Sequence, residues 1–312
     1  MDFGLDPEQS LLEQSGRVLL ERAAGPARAR SLHQTGRCDR ELLQALAGAG
    51  MLDLFADPGA GPLEAALVTE WSAAAAAYAP VGPRCLVAPS VMTGDIPLSV
   101  GLVESGGDQI VRWGHDLDAL IVLTGDDARV LGPSQFMVTQ IPSRFGYPLA
   151  TIELTGPGEP AGAGSAATAR QWWRVALAAE MAGTMTAAVG LTKDYISARR
   201  QFGRPIGSFQ ALQHRLAEAM VAAEAVRWMA REAAFSGSPE AAAAAATYAA
   251  DAAYRVFMDV HQMHGAMGFT TDYDLHLWST RLAVARLELG GPAAHADALA
   301  AIRWGELTSA AP

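Results

Sequence analysis

The sequence has almost no cysteine: Cys38 and Cys85 are the only thiols in 312 residues. Two are too few for a disulfide framework or a cysteine-rich metal site, so a reducing, cytoplasmic setting is expected, with both thiols serving as small buried groups. A basic excess is also missing. With 23 Lys and Arg against 33 Asp and Glu, the formal charge is −10, which argues against general attraction to nucleic acid or anionic membranes, though a local basic patch stays compatible. The opening Met1-Asp2-Phe3-Gly4-Leu5 has neither the basic start nor the apolar run of a signal peptide. No uninterrupted apolar stretch reaches the roughly twenty residues of a membrane span. The alanine run at 241–246 reads as a packed helix, because Ala is weakly apolar and the best helix former. No G-x-G-x-x-G follows a strand and no G-x-x-x-x-G-K-S/T occurs, so neither a Rossmann site nor a P-loop is supported. His261 and His264 lie one helical turn apart, but no Glu-x-x-His or His-x-x-x-His completes a bundle metal site, and no metal is expected.

What is present is a chain that can bury a full core, at 50% hydrophobic. Asp6-Pro7-Glu8 is a helix start, and Leu11, Leu12, Val18, Leu19 and Leu20 continue it as an apolar stripe. Further helices are expected from Asp39 to the glycines at 48 and 50, and over about 63–78, so residues 1–80 read as a helical domain. Over 81–160 the pattern changes to short β-type runs such as Ala119–Leu123 and Gln135–Thr139, with a hairpin turn at Gly125-Asp126-Asp127. This is a reduced middle β domain. Residues 156–165 (GPGEPAGAGS) have the composition of a flexible linker. Over 161–312 helix resumes, near 167–199, 210–235, 239–264, 273–289 and 292–304, with Ser238-Pro239-Glu240 repeating the cap-proline-acid start. Long helices with short connections pack antiparallel, so a four-helix-type bundle is expected. The fold class is therefore mainly α with a small central β domain.

Two motifs carry the functional reading. The first runs Arg199-Arg200-Gln201-Phe202-Gly203-Arg204-Pro205-Ile206-Gly207-Ser208-Phe209-Gln210, and the second Gln262-Met263-His264-Gly265-Ala266-Met267-Gly268-Phe269-Thr270. They resemble the R-x-Q-F-G-x-P-I-x-x-F-Q and Q-x-H-G-G-x-G-F-T elements of the acyl-CoA dehydrogenase family. The opening Asp2-Phe3-Gly4-Leu5 and the Leu42 to Leu54 stretch resemble that family's first helices. The resemblance implies FAD as cofactor, an acyl-CoA thioester as substrate, and FAD contacts from Arg199, Gln201, Phe202, Gln210, Gln262, Gly265 and Ala266. The chemistry suits these types: a guanidinium for pyrophosphate, amides that donate and accept, and glycines where backbone must come close. Ala266 stands where the family usually has a second glycine.

The resemblance is weakest in the middle. The family's T-E-P-x-x-G-S-D and W-I-T-N elements, which shield the flavin ring, have no counterpart between 81 and 155. In this family a glutamate takes the substrate α-proton. Counting from the two motifs places Leu289 and Trp173 at the two positions where that base occurs, with Glu288 one residue away from the first and Glu180 two turns along from the second. Glu288 is the candidate base if the chain has one. A chain without a base and with a reduced β domain resembles the non-catalytic partners of heteromeric acyl-CoA dehydrogenases, associated with lipid or sterol breakdown. A second dehydrogenase subunit, or further copies of this chain, is thus the expected partner. A structural or acyl-CoA-binding subunit without flavin, and a same-fold flavin oxidase or hydroxylase, remain open alternatives.

Overall fold

The structure, a computed structural model, describes residues 4–106 and 110–305; the Asp2-Phe3 part of the resemblance lies outside them. Helix α1 (Pro7–Ala23) starts as its sequence requires: Gln9 N donates to the Asp6 carboxylate at 2.8 Å, and Asp6 N donates to the Gln9 side chain at 3.1 Å. Helices α2 (Pro26–Thr35), α3 (Arg40–Gly48) and α4 (Pro62–Ala74) follow. Helix continues past the expected start of the middle region, through a π-turn at Pro83–Val87 and a short α5 (Ala88–Val91). Cys38 and Cys85 are free, buried thiols, and burial pushes their pKa values up to about 11 and about 12.

The middle region holds two small sheets. Strand β1 (Val100–Glu104) runs parallel to β3 (Ala119–Thr124), which pairs antiparallel with β4 (Asp127–Leu131) through the expected turn. Strand β2 (Ile110–Arg112) and β5 (Phe136–Ile141) flank β6 (Leu149–Leu154) in the second sheet. The expected linker is partly a strand: β7 (Glu159–Pro160) pairs with β4, matching Val130 to Glu159. Its glycines make the turns into and out of this pairing rather than a free tether; Gly158 sits at φ +66° against Leu131.

The C-terminal bundle follows the expected boundaries closely. Its helices are α6 (Ser165–Ala198), α7 (Gln210–Ser236), α8 (Pro239–His264), α9 (His276–Ala285) and α10 (Gly291–Trp304). The serine expected to cap α8 does so, Ser238 Oγ accepting from Ala241 N at 3.3 Å. Helix α6 packs on α4, α7, α8 and α9. It is long and apolar enough to cross a membrane by length and composition, yet 78% of its most apolar stretch is buried inside the fold, which makes it the core helix.

Glycine decides how closely α6 approaches α4. A Cβ on Gly183 would lie 2.0 Å from the Glu70 carbonyl oxygen and 3.0 Å from Ala74 N, both backbone atoms that cannot yield without moving a helix. Gly183→Ala is therefore expected to destabilise by about 1–3 kcal/mol despite its better helix propensity. A denaturant midpoint equal to that of the parent protein would show that α4 and α6 are not so tightly apposed. Beside this contact Glu70, 4% exposed, receives hydrogen bonds from Arg227 and Arg231 of α7, tying the N-terminal helices to the bundle.

Candidate functional site

Two concave regions bring the singled-out residues together. The first is an open groove of about 420 Å³ between the end of α6 and the end of α8. Tyr195, Arg199, Gln201, Phe202, Ile206 and Phe209 form one side, and Gln262, His264, Gly265 and Ala266 the other. Of the seven expected contacts only Gln210 is not among the lining residues; it begins α7, one residue past the lining Phe209.

Local sequence explains the first side. Arg199 caps α6 with its N–H donating to Tyr195 O at 2.8 Å. The chain then makes a miniature hairpin, β8 (Arg200–Gln201) and β9 (Arg204–Pro205), joined by Phe202-Gly203 at φ 54° and 79°. Two successive positive φ angles are those of a tight I′-type turn, natural for Gly203 and costing Phe202 about 1–2 kcal/mol. Phe202 is held there 89% exposed, beside Phe209, whose ring also carries the Arg204 guanidinium at 4.0 Å. A strained, displayed aromatic is the kind of local cost that a binding surface retains.

On the second side, Gly265 ends α8 at φ 59° and ψ −138°, a conformation that favours glycine, and an added Cβ would meet nothing within 4 Å. Its backbone is thus bare toward the groove. Gly268 differs: a Cβ there would come within 3.0 Å of His264 Cβ and 3.3 Å of His261 Nδ1. That glycine serves packing within the chain, not approach of a ligand. Arg199, Gln201 and Gln262 are exposed, and none makes a side-chain hydrogen bond or ion pair among the described residues. The groove thus presents an uncommitted cation, two uncommitted amides and a bare glycine turn.

The second region is a cleft of about 600 Å³ between the β sheets and the bundle, lined mostly by apolar side chains. Trp173 and Leu289, the two positions that counting assigned to a base, both line it, together with Glu288 and Arg112. Glu288 is not a free carboxylate. Its Oε2 accepts from Trp173 Nε1 at 2.8 Å and from Arg112 Nη2 at 3.2 Å, while its Oε1 lies against Arg112 Nε in the ion pair without a well-directed hydrogen bond. Arg112 also donates through Nη1 to Glu180 Oε2 at 2.8 Å. Burial alone would lower the Arg112 pKa, but Glu180 and Glu288 together raise it well above its usual value, so the guanidinium stays charged. Burial raises the Glu288 pKa, Arg112 opposes this, and Glu180 adds to it. Among the described residues, the other carboxylate on the cleft wall is Glu104, which is taken by Arg170.

Sequence reasoning reached Glu180, Trp173 and Glu288 only as positions, and it missed Arg112, the residue that joins them. Arg112 follows two strand-type residues and carries no motif; its partners lie 68 and 176 residues away. Among the described residues no group of three His, Cys, Asp or Glu is placed to hold a metal ion.

Residues 161–301 match the family description "Acyl-CoA dehydrogenase, C-terminal domain". Acyl-CoA dehydrogenase IpdE2 of Mycobacterium tuberculosis is 34% identical over 201 residues, covering 64% of this chain and 56% of that protein. Residues 161–301 are thus an acyl-CoA dehydrogenase C-terminal domain. Acyl-CoA dehydrogenase folds cover the chain almost end to end. A chain of the ChsE4-ChsE5 complex from Mycobacterium tuberculosis superimposes with a TM-score of 0.82 at 23% identity, covering 95% of this chain and 97% of that one. Butyryl-CoA dehydrogenase from Megasphaera elsdenii gives 0.81 at 19%, covering 97% and 99%. The curated relatives are matched over about half their length or less, IpdE2 over 56% and its Mycolicibacterium smegmatis namesake over 37%.

Proposed function

We propose that this chain is the non-catalytic subunit of an FAD-dependent acyl-CoA dehydrogenase, giving the adenosine diphosphate end of the flavin its contacts while a partner chain supplies the base. The groove fits that group. Arg199 offers a charge with no competing carboxylate, Gln201 and Gln262 can each donate and accept, and the Gly265 turn carries no Cβ. A flavin held there would supply hydride acceptance from the β-carbon of the acyl thioester. This chain's part is to hold and orient the dinucleotide, and the open groove suits a ligand whose far side is covered by another subunit.

The observation that carries the reading is the state of the cleft. α-Proton abstraction needs a carboxylate free to approach the substrate carbon and able to take a proton there. Among the described residues, both carboxylates on the cleft wall are bound to arginines, and Glu288 is held from a third direction by Trp173. Burial raises the Glu288 pKa, so it is the clamp and not low basicity that sets the group aside: Arg112 and Trp173 hold its oxygens, and it is not free to approach a substrate carbon. Leu289 and Trp173, the positions that motif counting gives to a family base, line the same cleft and neither can take a proton from carbon.

Glu288→Gln tests this in the assembled complex. A glutamine keeps the volume and can still accept from Trp173, so the turnover number is expected to stay within about twofold, whereas removing a true general base costs about 10²–10⁴-fold. A loss of that size with flavin retained would make Glu288 the base and this chain a self-sufficient dehydrogenase.

A further inference from the structure

The geometry points to Tyr195 and His264 as a positioning pair, a stacked clasp that fixes the distance between the two sides of the dinucleotide groove. The inference rests on the proposed role of the groove and adds the device that sets its width. Arg199 and Gln201 on one side, and Gln262 on the other, are exposed and have no side-chain partners among the described residues, so no hydrogen bond or ion pair of theirs there holds the two sides in register. Packing of α6 on α8 brings the two helix ends together, and the stacked contact between them beside the groove lies one turn further back. Tyr195 is the residue whose carbonyl receives Arg199 N–H at 2.8 Å, and His264 lies between Gln262 and Gly265. Their rings stack with centroids 4.3 Å apart and planes 23° from parallel.

Further contacts immobilise the pair. Tyr195 Oη donates to the His264 carbonyl at 3.4 Å. His264 Nδ1 sits 2.8 Å from Val260 O, and since a carbonyl can only accept, Nδ1 carries the proton. Tyr273 closes the third side, its ring 5.4 Å from Tyr195 and 5.1 Å from His264. His264 is 3% exposed and Tyr195 half-buried, and both line the groove. Burial lowers the His264 pKa, the Val260 bond opposing it, so the ring that stacks is the neutral one. Groups that must grip one ligand from two sides lose affinity when their spacing drifts, even with every contacting residue intact.

The test is a double-mutant cycle on FAD affinity in the co-purified complex, with melting temperature recorded for each variant. Tyr195→Leu keeps helix propensity and apolar bulk while removing the ring stack and the hydroxyl; it is expected to weaken FAD binding about tenfold. In an Arg199→Ala background, where the positioned group is gone, the same change is expected to weaken binding by less than about twofold, because the two residues act as one unit. Tyr195→Phe, which keeps the ring, should restore near-parental affinity, and His264→Leu should match Tyr195→Leu. Parental affinity in Tyr195→Leu, or an equal loss in both backgrounds, would overturn the clasp while leaving the groove assignment intact. If Arg199→Ala itself leaves FAD affinity unchanged, the groove assignment falls and the clasp with it.

Discussion

Arg112→Met is expected to cost about 3–5 kcal/mol of stability and to lower the melting temperature by roughly 10 °C. The side chain is 8% exposed and stands between Glu180 and Glu288, 11% and 16% exposed. Removing it leaves two carboxylates facing each other in a half-dry cleft with no cation between them. It also removes the guanidinium from the face of Tyr147, 4.7 Å away, where it links β2 to the loop before β6. The loss should come from the orphaned charges more than from missing attraction, because burying an ion pair already costs desolvation. Arg112→Met combined with Glu180→Gln and Glu288→Gln is therefore expected to recover most of the stability. A single variant within about 1 kcal/mol of the parent, or a triple variant no better than the single, would contradict the network's role.

Arg199→Ala is the mirror case, with a large effect on ligand and almost none on folding. The side chain is exposed and unpaired among the described residues, so the change should move stability by less than about 0.5 kcal/mol. A charge-assisted hydrogen bond to phosphate contributes about 1.5–3 kcal/mol, so FAD affinity of the complex should fall roughly 10–100-fold. Flavin released on dilution and followed by its fluorescence gives the affinity, and a thermal melt gives the stability. Unchanged affinity would remove the groove from the flavin site. A large stability loss would mean that Arg199 has a structural partner.

These two arginines mark the boundary of what the sequence makes legible. Arg199 sits inside a motif of fixed spacing, and motif spacing survives because a turn and a helix end are local structures. The same holds for the helices capped by Asp6 and Ser238, and for the β3–β4 turn at Gly125. Arg112 has no local signal, since its meaning comes from chain segments 68 and 176 residues away. Helix α2, PARARSLHQT, was missed because only Ala29 of it is buried, leaving no apolar stripe to read. The stretch 83–91 carries Pro83 and Pro89 and looks like a loop, yet it is helical: Pro83 falls in its first turn, where a lost N–H matters least, and Pro89 follows directly on the widened π-turn.

The one-residue ambiguity at Glu288 and Leu289 also has a physical origin. In a continuous helix neighbours point about 100° apart, and only one could face the cleft. Leu289 instead adopts φ 52°, followed by Gly290 at 83° and Gly291 at 75°. This left-handed run breaks the helix, and both side chains reach the same wall. Counting could place the segment in the cleft but could not say which residue faces it.

The central claim, a flavin site shared with another chain, is tested most directly by counting flavin. Absorbance near the flavin bands and native mass would be measured for the protein purified alone, then co-purified with an acyl-CoA dehydrogenase encoded beside it. The account predicts a colourless protein alone and about one FAD per pair of chains in the complex, since ligand that needs both surfaces binds only when both are present. A yellow homo-oligomer of this chain by itself, bleached by acyl-CoA, would contradict it.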